Sequence, residues 1–398
     1  MIGVTHMENK GNDVSQNPNG APLVFFEANA YLYLIKLFIK LNSIPVLKPS
    51  YGNENGFISY LAFSLSSDGS VFLHEAIKYL KEFSDNSSSQ DFPENFLSDL
   101  ENVRNNVHTY NKRGGYQKKA DNIIQGKLIE YEMDTPDSLY FLRSDISLIF
   151  EIVNNKRKFI GSDYFIYHSF VDIEGKTWSG TRFNKYAENL SAAIKGIATT
   201  IDDSVYQLAE LDMGNNLPRI ELFDYKSPDL FTRVKTNKPI TLRLLLALTQ
   251  ISYPIMLVED IIDITLMEST LWMCFFTKLM SIKYDETIDN INSILTHAES
   301  TDRNVVNDIL STNGIDINNL RARNFAQKLR NSIHYQRIPF DATLCDSGTT
   351  KEVIEVTYLS ITETKTMDEF RTQSNHMFEE AKQLQNAIQE YFSLNKTY

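Results

Sequence analysis

Apolar residues recur at helical spacing along most of the chain. In Ala28 to Leu41, the residues Tyr31, Leu34, Ile35, Phe38 and Leu41 predict a core helix, which Pro45 and Pro49 end. Val71 to Phe83 repeats the pattern, and Pro93 opens a third helix through Tyr110 with Leu97, Leu100, Val103 and Val107 on one face. The middle is mixed: residues 138–153 suit a helix, Tyr164 to Ile173 alternates as a strand should, and Arg182 to Leu211 returns to helix. Ile240 to Leu295 is strongly apolar and helical with a break at Pro254. Asp316 is expected to cap a helix running to about Gln336, Val353 to Ile361 to form a strand, and Asp368 to Phe392 a closing amphipathic helix.

These elements predict a mainly α fold built of helical bundles, with a minor β component in the middle and near the C-terminus. A chain of 398 residues suits two or three domains. Residues 1–22, rich in Asn, Gly and Pro, are expected to be a flexible leader. Met213 to Pro239 holds Gly214, Pro218, Pro228 and Pro239 and is the best candidate linker. The expected division is a mainly helical N-terminal domain with a short β element over 23–225 and a C-terminal helical bundle over 226–398.

Composition narrows the classes. The hydrophobic share is 42%, with 24 Phe and 20 Tyr, which supports packed structure rather than disorder. Two cysteines, Cys274 and Cys345, are too few for a disulfide framework or a clustered metal site, and Cys274 sits among Trp272, Met273, Phe275 and Phe276 as a buried, inert thiol. Glu259, Asp260 and Asp263 have no histidine at ligand spacing, so they read as a polar helix face. No metal and no cofactor are expected. A net charge of −12 argues against a surface coated by nucleic acid but allows a local basic groove. The first residues lack the basic, apolar and small-residue succession of an export signal, so a cytoplasmic location is expected. Leu244 to Val258 is uncharged but short of the roughly 20 residues a bilayer span needs, and reads as a buried helix rather than a membrane one.

One motif occurs twice. Leu329-Arg330-Asn331-Ser332-Ile333-His334-Tyr335 matches Val103-Arg104-Asn105-Asn106-Val107-His108, apolar residue for apolar residue. Both copies are expected inside helices, with Arg and His four apart on one face and the apolar partners on another. Each copy lies in a window without acids: Arg104, Lys112, Arg113, Lys118 and Lys119 in the first, Arg321, Arg323, Lys328, Arg330 and Arg337 in the second. Imidazole can take or give a proton near neutral pH, and a permanently charged guanidinium can stabilise a phosphoryl group, so two such pairs suit metal-independent cleavage of RNA by 2′-OH attack. Lys112, Arg113, Lys118, Lys119, Arg323 and Arg337 are candidate RNA-backbone contacts, and Tyr335 a candidate base-stacking residue. The plainer alternative for each copy is solvated helix surface, and for the tyrosine a place in the core.

The second copy resembles the signature of the HEPN superfamily, helical-bundle domains whose motif is an Arg, commonly followed by a polar residue, and then a His. The resemblance implies a composite metal-independent ribonuclease site where two motif helices meet, within one chain or across a homodimer. It also implies a role in toxin–antitoxin or antiphage defence, with an antitoxin or defence protein as partner. On this resemblance Arg104, Asn105, His108, Arg330, Asn331 and His334 form the site. The Arg-to-His spacing is four in both copies, where the family commonly has five to seven, which favours the competing expectation of a noncatalytic helical module that binds RNA or a partner protein.

Overall fold

The structure, a computed structural model, describes residues 20–44, 56–83, 92–93, 95–109, 145–153, 156–162, 169–170, 178–200, 208, 211, 219–226, 234–262, 269–346 and 348–394. Among these the chain is mainly helical, with one small antiparallel sheet in the middle. The helices are α1 (Gly20–Asn42), α2 (Gly56–Phe83), α3 (Phe96–Thr109), α4 (Gly180–Ala198), α5 (Lys238–Met256), α6 (Thr270–His297), α7 (Ser300–Thr312), α8 (Arg323–Asn331), α9 (Thr350–Thr362) and α10 (Met367–Tyr391). The strands are β1 (Asp145–Val153), β2 (Lys156–Ser162) and β3 (Ile220–Lys226), in spatial order β2-β1-β3.

The long apolar runs form helices as their periodicity requires. α1 begins at Gly20, inside the stretch expected to be leader, and the Tyr335 backbone packs so close that only glycine fits there: a Cβ at Gly20 would lie 2.5 Å from the Tyr335 carbonyl oxygen. α5 passes through Pro254, which offers no N–H to the preceding turn, and continues as a single π-helical turn, Leu257–Ile261, so the proline does not end the helix. Gly20–Asn42 and Lys238–Ile261 are each long and apolar enough to cross a membrane, and 61% and 94% of their apolar windows are buried inside the fold.

Four local expectations are overturned. Residues 145–153 are strand, not helix: Ile149 and Phe150 are fully buried, and β1 is flanked on both sides by antiparallel partners, the situation in which β-branched and aromatic residues prefer extended backbone. Val353 to Ile361 is helix, not strand. Ile354, Val356, Tyr358, Leu359 and Ile361 are all buried because α9 is wedged among α1, α6, α8 and α10, so burial on two sides imitates alternation. Its start carries a capping signal, with the Thr349 side chain accepting from the Glu352 N–H and the Glu352 carboxylate accepting from the Gly348 N–H at 2.7 Å. Asp316 does not cap α8; it closes a tight turn, accepting from the Asn318 N–H at 3.0 Å. Leu97 is exposed, while Leu100, Val103 and Val107 are buried as expected. Of the strand expected over Tyr164 to Ile173, only Ser169 and Phe170 are described, in turn-like backbone; the rest lies outside the described residues.

The sheet packs against α2 and α5. β2 is an edge strand, and α10 satisfies its outward backbone groups: Gln385 Nε2 donates to the Phe159 carbonyl at 3.1 Å and Gln389 Nε2 to the Arg157 carbonyl at 3.1 Å. β3, which holds the expected boundary near residue 225, pairs with β1, and residues on both sides of that boundary share one hydrophobic core.

α6 runs through the centre and is buried nearly all round, charged residues included. Lys278 Nζ meets Glu27 Oε1 of α1 at 2.5 Å, and the Tyr335 and Tyr358 hydroxyls donate to the same carboxylate at 2.6 and 3.3 Å. Burial holds the Lys278 ammonium below its ordinary range, with Glu27 opposing that shift. Removing one partner of such a buried pair strands the other, so Lys278→Ala should lose about 3–5 kcal/mol in urea denaturation; a loss under about 1 kcal/mol would show that Glu27 is satisfied by its tyrosines alone.

Candidate functional site

The second motif copy spans a helix end. Arg330 lies in the last turn of α8, and the chain leaves the helix at Ser332, whose N–H bonds back to the Leu329 carbonyl at 3.1 Å. His334 therefore sits outside the helix, one residue before a short 3-10 turn over Tyr335–Arg337, not one helical turn above Arg330. Its place is set by its neighbours: Ile333 and Tyr335 are both buried, and Tyr335 is anchored on Glu27. The Tyr335 ring is 1% exposed, which corrects its expected role as a base-stacking residue, because a ring sealed in the core has no open face.

The first copy lies on α3, which packs beside α2. Here the two copies meet. Glu75 of α2 is 1% exposed, and its carboxylate joins them: Oε1 accepts from Arg104 Nη2 at 2.8 Å and Nε at 3.2 Å, while Oε2 lies 3.0 Å from His334 Nδ1. His74 Nδ1 stands 3.3 Å from Oε1. Burial alone would raise the Glu75 carboxyl, but the hydrogen bonds from His334, His74 and Arg104 outweigh it and hold the group well below the usual carboxylate range. Arg104 Nη1 also donates to Asn105 Oδ1 at 3.2 Å. The His334 side chain is 46% exposed, and those of Arg104 and Arg330 are 20% and 25% exposed, so the cluster borders solvent.

Arg330 is held differently. Its Nη1 donates to Asp285 Oδ2 of α6 at 3.0 Å, and among the described residues its Nε and Nη2 have no hydrogen-bond partner. Burial raises the Asp285 carboxyl and Arg330 opposes the shift. Between the motif segments lies a cavity of about 30 Å³, bordered by Val107, Ile333 and Arg330 and reaching Asp68, Lys283 and Glu286. It has room for a water or two. Lys283 Nζ meets Asp68 Oδ1 at 2.6 Å, whereas neither Glu286 oxygen has a hydrogen-bond partner among the described residues.

The remaining expected site residues divide. Asn331 is exposed at the end of α8. The side chain of His108, and Lys112, Arg113, Lys118 and Lys119, lie outside the described residues. The second basic window is largely neutralised: Arg323 faces Asp289 at 3.9 Å, Lys328 meets Glu363 at 2.6 Å and Arg330 meets Asp285, while Arg337 is exposed. Absence of acids in the sequence window did not mean absence of acids in space. Glu259 and Asp260 are paired with Lys158 at 3.2 and 2.7 Å, and Lys382 also reaches Glu259, at 2.7 Å; Asp263 lies outside the described residues. Cys274 is buried, and burial pushes its thiol up, as an inert cysteine requires.

Glu75 and Glu286 were missed from the sequence. Glu75 carries the one available signal, an acid that falls with Asp68 at the buried spacing of Phe72 and Tyr79 on one face of α2.

Glu286 yields a pH test. Burial pushes its carboxyl up to about 7, with Lys283 and Arg330 opposing. A carboxyl raised above its unfolded value near 4.5 binds more protons when folded, so wild-type stability should fall as pH rises between about 5 and 7. Glu286→Gln should match wild type at pH 5 and exceed it at pH 8 by on the order of 3 kcal/mol in urea denaturation; parallel stability curves would contradict the assignment. Comparison with known proteins finds no matching family model, no similar curated protein and no solved structure of similar fold.

Proposed function

We propose that this protein is a metal-independent endoribonuclease that cleaves RNA by 2′-OH attack, with the Arg-Asn-x-x-His segments forming its site. The observation that carries this reading is the Glu75 carboxylate, which bonds Arg104 of one copy and His334 of the other in a single chain. In this reading His334 exchanges a proton with the reacting ribose or the leaving oxygen, since its imidazole is half-exposed and anchored on one nitrogen. Arg330 offers its unengaged Nε and Nη2 to the scissile phosphate, whose negative charge grows in the transition state. His108, one turn along α3 from Arg104, is the candidate second proton carrier. The HEPN resemblance belongs to this proposal, as do a cytoplasmic setting and a role in defence or as a toxin with an inhibitory partner.

A second reading rests on a separate observation. The ion pairs of Arg323, Lys328 and Arg330 with acids reduce the positive potential on the α8 side. Such a surface suits a noncatalytic module whose partner is a protein, and a noncatalytic module that binds RNA or a protein is the reading that stands if cleavage fails.

Incubation with total RNA in EDTA should give fragments ending in 2′,3′-cyclic phosphate. His334→Ala and Arg330→Ala should each lower the rate by about 100-fold or more, with far-UV circular dichroism close to wild type. Intact RNA, or variants that cut as fast as wild type, would remove the catalytic reading.

A further inference from the structure

The two arginines of the repeated motif are used unequally. Arg104 has all three guanidinium nitrogens engaged inside the protein, Nε and Nη2 on Glu75 and Nη1 on Asn105. Arg330 spends one nitrogen on Asp285. Three of its five N–H groups are thereby spent inside the protein, and the side-on Nε/Nη2 fork is closed to a phosphate unless those bonds break. The first copy thus points its charge at Glu75, and Glu75 in turn points its second oxygen at His334.

An ionised carboxylate only accepts hydrogen bonds. With Arg104 on Oε1, the Glu75 Oε2 can bond His334 only if Nδ1 carries the proton, at the 3.0 Å separation found. The neutral ring then has its lone pair on Nε2, on the opposite side of a half-exposed imidazole.

We propose that Glu75 is a positioning residue: its carboxylate fixes the Nδ1–H tautomer of His334 and presents Nε2 outward as the proton acceptor. Arg104 acts through Glu75 rather than on substrate. The catalytic consequence rests on the ribonuclease reading above; the tautomer does not. The repeated motif is therefore asymmetric, with the second copy facing the reacting groups and the first bracing the carboxylate that orients them. Glu75→Gln gives a sharp consequence. The amide oxygen is drawn to Arg104, which turns its NH2 toward His334, and a donor facing Nδ1 forces the ring proton to Nε2.

The test is nitrogen-15 NMR of the imidazoles in the full-length protein at a pH where His334 is neutral, with the His334 signals identified by their loss in His334→Gln. Wild type should show the proton on Nδ1, Arg104→Gln should keep it there, and Glu75→Gln should move it to Nε2. Glu75→Gln should also lower RNA cleavage by about 100-fold and flatten the limb of the pH–rate profile that reports the base. Wild-type His334 protonated on Nε2 would overturn the proposal without any variant, and so would a Glu75→Gln protein that keeps the Nδ1 proton. If RNA stays intact while wild type shows the Nδ1 proton, the pairing stands and only the ribonuclease reading falls.

Discussion

A carboxylate withdrawn from water must be met by donors or give up its charge, and that constraint organises the centre of this protein. Glu75, Glu27, Asp68 and Asp285 are all buried, and each is met by a cation from another segment, Arg104, Lys278, Lys283 and Arg330 in turn, with the His334 imidazole as a further partner of Glu75. Three of these cations or acids come from α6, so the central helix is tied to α1, α2 and α8 by charge as well as by packing. Each pair fixes one helix relative to another at hydrogen-bond precision, which apolar contact alone would not specify. The pairs also lie in series. Glu27 anchors Tyr335, Tyr335 fixes the position of His334, and His334 closes on Glu75.

That chain of contacts explains why a polar site can stand at the edge of a core this apolar. The motif segments need a rigid mount, and α6 provides it because its buried face carries charges that cannot slide without losing their partners. Glu286 is the exception, a buried carboxyl with cations nearby but no hydrogen-bond partner among the described residues. An uncompensated group of this kind costs stability, and it lines the cavity beside Arg330.

The local errors of the sequence reading share a cause. Periodicity reports how many sides of an element are covered, not its backbone geometry. α9 imitates a strand because it is buried on two sides, and β1 imitates a helix because neighbouring residues on both of its faces are buried. The cap formed by Thr349 and Glu352 was the local signal that could have decided the first case. The second acid-free basic window misled for a different reason: Asp285, Asp289 and Glu363 are distant in sequence from the cations they neutralise.

The linear order of residues was enough to establish a mainly helical chain, the buried character of Leu244 to Val258, the inert setting of Cys274 and the matching Arg-Asn-x-x-His segments, because spacing and hydropathy are local properties. Only the tertiary structure decided that His334 leaves its helix, that Tyr335 is buried, that Arg104 faces inward, and that the segments share Glu75. Those outcomes depend on which distant groups pair once water is excluded. A charge finds its partner through space, and sequence spacing holds no record of that distance.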